Sequence, residues 1–130
     1  MMRAQITVEY LLLSLIALTL ISFSVISLAS IKKAADKSYD ALLFKSSAID
    51  LGNAMGEACA LGHGSIRTVY VRSEMDVSGS NNRYAVFEQT TSNLSIIRDV
   101  YCEVNPASNI SGNTEIKNEN GKIEVSKSNP

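Results

Sequence analysis

Hydrophobic and polar residues are spread unevenly along the chain, and the pattern changes character twice. From Tyr10 to Ala29 the side chains are apolar except for the small hydroxyls of Ser14, Thr19, Ser22, Ser24 and Ser27. At about 1.5 Å of rise per residue, a helix over this stretch matches a hydrocarbon core of about 30 Å, so it is long enough to cross a bilayer. Lys32 and Lys33 close it, and Asp36, Lys37 and Asp40 return the chain to water. Three small pairs at helical spacing, Ser14 with Ala17, Ser24 with Ser27 and Ser30 with Ala34, would let another helix approach closely or simply face lipid.

Between Ile31 and Ala60 the apolar run gives way to apolar positions at three- and four-residue intervals: Ala34, Ala41, Leu42, Phe44, Ala48, Ile49, Leu51, Met55, Ala58 and Cys59. Lys37, Asp40, Lys45, Asp50 and Glu57 occupy other positions, so the helix is expected to continue as an amphipathic one. Proline is absent until Pro106, and Leu61-Gly62-His63-Gly64 supplies a glycine stop. The expectation is a single helix of about 55 residues, far beyond the usual 10 to 14, softened at Gly52 and Gly56.

After Gly64 the period shortens to that of strands. Ser65 to Val71, Arg83 to Gln89, Ser95 to Val104 and Lys122 to Ser126 hold most of the Val, Ile, Tyr and Phe of this half and predict strands, with Ser78-Gly79-Ser80-Asn81-Asn82 as a loop. Asn120-Gly121, between Glu115-Ile116-Lys117 and Lys122-Ile123-Glu124-Val125, is a two-residue hairpin signal. Residues 113–130 are polar enough to stay mobile unless that hairpin docks. The predicted fold class is α+β. A long N-terminal helix, with a transmembrane first half (5–29) and an amphipathic second half (30–61), carries a small antiparallel β-sheet head over 65–130. Such a sheet is marginal alone, so its apolar face should pack on the Ala41 to Cys59 part of the helix.

Composition removes several function classes. Outside the apolar segment roughly a hundred residues remain, enough for one small domain. The formal net charge of -1 and the scattering of the twelve basic residues leave no electrostatic footprint for nucleic acid. No glycine-rich phosphate loop, nucleophile with a histidine partner or paired core carboxylates are evident, so neither an enzyme nor a cofactor is expected. Cys59 and Cys102 are the only cysteines. In a chain exposed outside the membrane an even count favours a disulfide, here tying the helix end to the sheet for about 3 to 4 kcal/mol; otherwise they are two buried small hydrophobes that never meet. Two cysteines without nearby histidines make a poor zinc site, and His63 between glycines reads as a turn residue. Asn93-Leu94-Ser95 and Asn109-Ile110-Ser111 are sequons that could accept N-linked glycans, whereas Asn105 precedes Pro106 and cannot.

Glu9 is the residue that an ordinary membrane anchor does not explain. It stands at the mouth of the apolar segment, where it could merely favour the positive end of the helix dipole. Three readings of the segment compete. A secretory signal would end at Ser27-Leu28-Ala29, but Arg3 and Glu9 cancel before the apolar centre and the centre is longer than the usual ~7 to 15 residues. A plain anchor is the second reading; Arg3 on one side against Lys32 and Lys33 on the other fixes no orientation by charge. The third comes from Gln5-Ile6-Thr7-Val8-Glu9-Tyr10, preceded by a short leader with Arg3 and Ala4. This resembles the N-terminus of archaeal type IV pilins with class III signal peptides: Gln, a variable residue, Ser or Thr, a variable residue, Glu, then an aromatic.

The resemblance implies a leader over 1–4, removed by a prepilin peptidase between Ala4 and Gln5 on the cytoplasmic side. The hydrophobic helix stays on the mature subunit, with Glu9 as its fifth residue. It also implies a type IV pilin-like fold and a membrane precursor with a cytoplasmic N-terminus. A pilus assembly ATPase and a membrane platform protein would be its partners. Identical subunits would pack into a helical surface filament that serves adhesion. Cleavage would place a new α-ammonium on Gln5 about one helical turn from Glu9, available to the Glu9 of a neighbouring chain. The alternatives are a single-span or secreted surface protein that never polymerises, and a minor pilin or pseudopilin.

Overall fold

The computed structural model describes residues 2–80 and 83–128, with side chains for residues 6–79 and 83–128. Helix α1 spans Met2–Leu61, 60 residues without interruption. It is followed by strands β1 (Ile66–Ser80), β2 (Tyr84–Gln89), β3 (Ser95–Asp99), β4 (Glu103–Val104), β5 (Ala107–Glu119) and β6 (Lys122–Lys127). This is the α+β layout the sequence predicts: a long apolar N-terminal helix followed by a curled sheet of mainly antiparallel strands. By contacts the chain divides into two compact units, Met1–Ser38 and Tyr39–Pro130.

Within the second unit the helix buries Phe44, Ala48, Leu51, Met55 and Ala58, at alternating steps of four and three residues. Phe44, Leu51 and Met55 gain roughly 1.5–3 kcal/mol each by leaving water. Their partners come from the inward face of the sheet: Val71, Met75 and Val77 of β1, Phe87 of β2, Ile110 and Ile116 of β5, and Ile123 and Val125 of β6. Ala34 and Leu42, apolar positions on the same expected face, are exposed instead; a rotation of 100° per residue turns Leu42 away from the Phe44 to Ala58 stripe.

The sheet order is β3-β2-β1-β5-β6-β4, so β1 is central and β3 and β4 are the edges. All neighbours are antiparallel except β4 and β6. Two sequence expectations need correction. First, β1 runs on through Ser78-Gly79-Ser80, expected as loop; Asn81 and Asn82 lie outside the described residues. Gly79 is in the strand because the chain passes so close: a Cβ there would meet the Val104 carbonyl oxygen at 2.6 Å and the Val104 Cβ at 2.9 Å. The sheet is thus curled until β4 lies against β1. Second, Ser95 to Val104 is two strands, not one, because Val100 turns inward with its N–H bonded to the Arg83 carbonyl (2.8 Å) and Cys102 is drawn to the helix. The condition set for the polar tail is met: the Asn120-Gly121 hairpin docks as β5 and β6, and β6 runs to Lys127. Asn120 (φ 55°) and Gly121 (φ 84°) both adopt the left-handed conformation that such a two-residue turn requires.

The helix end is clasped by the hairpin. Gly62 takes a positive φ of 84°, ending the helix where the sequence places its stop. The Ala58 carbonyl, one of the helix's last four, accepts from Ser65 Oγ (2.7 Å) and from Asn118 Nδ2 (3.0 Å). Asn118 Oδ1 in turn accepts from the Gly121 N–H (3.0 Å), and His63 Nδ1, in the turn after the helix, accepts from the Asn120 N–H (3.0 Å). Midway along the helix, buried Ser47 uses its Oγ to accept the Arg72 N–H (3.0 Å), which the irregular register between Val71 and Met75 leaves without a strand partner.

Candidate functional site

The apolar half of α1 is a surface without cover. From Ile6 to Leu28 every large apolar side chain is exposed, from 45% at Ile16 to 72% at Phe23. No water is needed by its hydroxyls. Ser14 and Thr19 donate to the carbonyls of Leu11 and Ile16 (2.9 and 2.8 Å). Ser22, Ser24, Ser27 and Ser30 donate to Leu18, Leu20, Phe23 and Ile26 at 2.8 to 3.1 Å. A hydroxyl without a partner in an apolar medium costs roughly 2–7 kcal/mol, and each of these is satisfied within its own helix. The helix is therefore long and apolar enough to cross a membrane, and its polar atoms are compatible with one.

The residues expected at the processing and assembly site share this helix. Ala4, Gln5 and Glu9 are all helical, with Gln5 and Glu9 four residues apart and hence one turn along one face. The side chains of Ala4 and Gln5 lie outside the described residues, and Glu9 is exposed. Glu9 is the one ionisable carboxylate before Asp36, so an apolar environment around this helix has a single buried charge to compensate.

The other expected residues belong to the second unit. Cys59 and Cys102 form a disulfide, with Cα atoms 6.0 Å apart and a sequence separation of 43. Asn93 is exposed in the turn between β2 and β3, whose neighbours Thr90 to Ser95 are exposed with it. Asn109 is also exposed, at a bulge in β5 with φ 55°, where its N–H is held by Asp76 Oδ1 (2.8 Å). Both sequons are thus accessible from solvent. Among the described residues no three His, Cys, Asp or Glu side chains gather so as to hold a metal ion. On the outer face of the hairpin Lys117 and Glu119 are hydrogen-bonded; that contact holds the Glu119 carboxyl below its ordinary range and the Lys117 ammonium above its own.

One feature had no signal in the sequence. A groove of ≈ 390 Å³ opens between α1 and the edge strand β3, floored by Ala41, Phe44, Ile49 and Ile96 and flanked by Lys45 and Arg98. Its walls are some fifty positions apart in sequence, and only the folded sheet brings them together. In comparisons with protein families, characterised proteins and solved structures, the chain matches none.

Proposed function

We propose that this chain is the subunit of a type IV pilus-like surface filament of the archaeal kind. It would be made as a single-pass membrane precursor, cleaved between Ala4 and Gln5 by a prepilin peptidase, and passed by an assembly ATPase and platform protein into a helical array of identical copies that serves adhesion. The observation that carries the reading is an uncovered apolar helix, internally satisfied along its length, with a single carboxylate at position 9. A charge at a bilayer centre costs about 2.5–3.5 kcal/mol on insertion scales, and less near the interface. That cost is offset when the charge meets an ammonium. Cleavage supplies one on Gln5, and a neighbouring chain's Glu9 receives it as helices leave lipid and pack together. A contact of this head-to-tail kind does not close on itself, so copies add indefinitely along a screw axis.

Mass spectrometry of the mature N-terminus tests the processing step. A start at Gln5 is expected; a start at Ser30 establishes a secreted protein, and an intact Met1 or Met2 establishes a plain anchor. Assembly is tested by Glu9→Ala, which should insert and be cleaved yet give no filaments by electron microscopy. Abundant normal filaments from that variant would sink the pairing mechanism.

A further inference from the structure

The groove beside β3 has a counterpart on the same chain. Tyr101 is 82% exposed, more than any other large hydrophobic residue among those described. It is not a loose side chain at a loop tip. Val100 before it is fully buried with its N–H bonded to the Arg83 carbonyl (2.8 Å), and Cys102 after it is bonded to Cys59. The ring is therefore held out into solvent by two anchored neighbours. Its flanks are acidic: Asp99, whose side chain has no hydrogen bond or ion pair among the described residues, and Glu103, which accepts from Lys122 Nζ at 3.1 Å. The groove has the opposite character. Among the described residues Lys45 carries no ion pair, the Arg98 side chain donates only to the neutral Asn53 Oδ1 (3.0 Å), and no carboxylate lines the groove.

We infer that Tyr101 of one copy seats in the Ala41–Phe44–Ile49–Ile96 groove of the next, with Asp99 and Glu103 meeting Lys45 and Arg98. This rests on the reading of the chain as a self-assembling subunit and adds the contact through which heads grip one another. Three observations carry it. The charges are complementary, which orients the approach and disfavours the reversed one. The knob is an aromatic fixed before binding, so little ordering is lost on docking, and Tyr is enriched among residues that dominate interfaces.

The offset between knob and groove also fits a stack. Strand β3 runs along α1 in the same sense, with Leu94 to Arg98 beside Ala41 to Ile49, Arg98 against Gly52, and Cys102 bonded to Cys59. From Lys45 to Cys59 is fourteen residues (59 − 45), or about 20 Å along the helix axis. The groove reaches up to Arg98 against Gly52, and Tyr101 is not among the residues that line it, so knob and groove lie on one edge at different heights. A copy displaced by about that rise brings its knob level with the neighbour's groove.

The test is photo-crosslinking of the full chain in its own membranes and filaments, with benzoylphenylalanine in place of Tyr101. Adducts mapping to residues 41–49 or 94–98 of a second chain are expected. Adducts elsewhere, or none between chains, overturn the contact. Lys45→Glu and Asp99→Lys should each lower the adduct yield about fivefold or more, and the two together should restore it. Failure of the pair to restore it, with both single variants still oxidised at Cys59–Cys102 and melting normally, also overturns it. Filaments of the unaltered chain seen beside wrongly placed adducts leave the assembly reading standing and remove this contact alone. Absence of filaments from the unaltered chain overturns both.

Discussion

Asn118 should be the most sensitive polar residue of the head. It is 1% exposed, and its side chain joins two elements sixty positions apart in sequence: Nδ2 donates to the Ala58 carbonyl at the helix end (3.0 Å) and Oδ1 accepts the Gly121 N–H of the hairpin turn (3.0 Å). Asn118→Ala removes both bonds, at about 0.5–1.5 kcal/mol each. The Gly121 N–H is exposed and can turn to water, so the total is about 1–3 kcal/mol. For a unit of 92 residues (130 − 39 + 1), this lowers the melting temperature by roughly 5–20 °C. The apolar part of the helix will keep its far-ultraviolet signal in a micelle, so the head is best followed by near-ultraviolet dichroism of its tyrosines. The Ala58 carbonyl has a second donor, Ser65 Oγ at 2.7 Å, which makes the reasoning sharper. Each single variant, Asn118→Ala or Ser65→Ala, leaves that carbonyl one partner. The double variant leaves it none from these side chains and should be worse than the sum by about 0.5 kcal/mol or more. Strict additivity, or a melting point for Asn118→Ala within about 3 °C of the parent, would refute the clasp.

Replacing both cysteines, Cys59→Ala with Cys102→Ala, should cost about 4 kcal/mol, the loop-entropy value for a separation of 43 residues, and lower the melting temperature by roughly 15–30 °C. Reductant added to the parent protein should give the same loss, and a change under about 1 kcal/mol would contradict it. Gly79→Ala should destabilise the head by about 1–3 kcal/mol, because the new Cβ falls 2.6 Å from the Val104 carbonyl oxygen. Adding Val104→Ala should not rescue it in denaturant melts, since the obstructing atom is backbone.

What the sequence could and could not show follows from what each part buries. The helix was legible to its last residue because its two signals are local: apolar spacing and a glycine that takes positive φ at position 62. The disulfide was legible because two cysteines allow one pairing. β5 was legible only as the hairpin arm Glu115-Ile116-Lys117, for the inward positions of its second half alternate Thr114, Ile116 and Asn118, and two of those three are polar residues buried because the fold supplies partners for them. Hydropathy reads such a strand as solvent-loving. Gly79 misled in the opposite way, since a glycine demanded by close approach looks, in sequence, like one demanded by a turn. The candidate processing site is a local six-residue pattern, so folding adds to it only the shared helical face of Gln5 and Glu9.

The most informative disagreements are apolar residues that the fold does not use. Tyr39, Leu42, Ile97 and Tyr101 are between 62% and 82% exposed, and Leu42 was among the apolar positions expected on the helix's buried face. Apolar pattern in a sequence records burial in the working state of a protein, which includes contacts between chains as well as within one. For a monomer, a helix bare from Ile6 to Leu28 and an aromatic fixed outward at position 101 would both be liabilities for aggregation. For a subunit they are the two surfaces that a repeating contact covers. The N-terminal helix supplies apolar area without direction, since it is apolar all round and can slide or rotate against a neighbour. On the proposed reading, a single aromatic seated between paired charges would add direction and register to what the Glu9 pair alone sets on the helix. If the chain assembles as proposed, strength and geometry would be carried mainly by different parts of it. Variants at Glu9 should therefore change whether filaments form, and variants at Tyr101 should change the regularity with which they do.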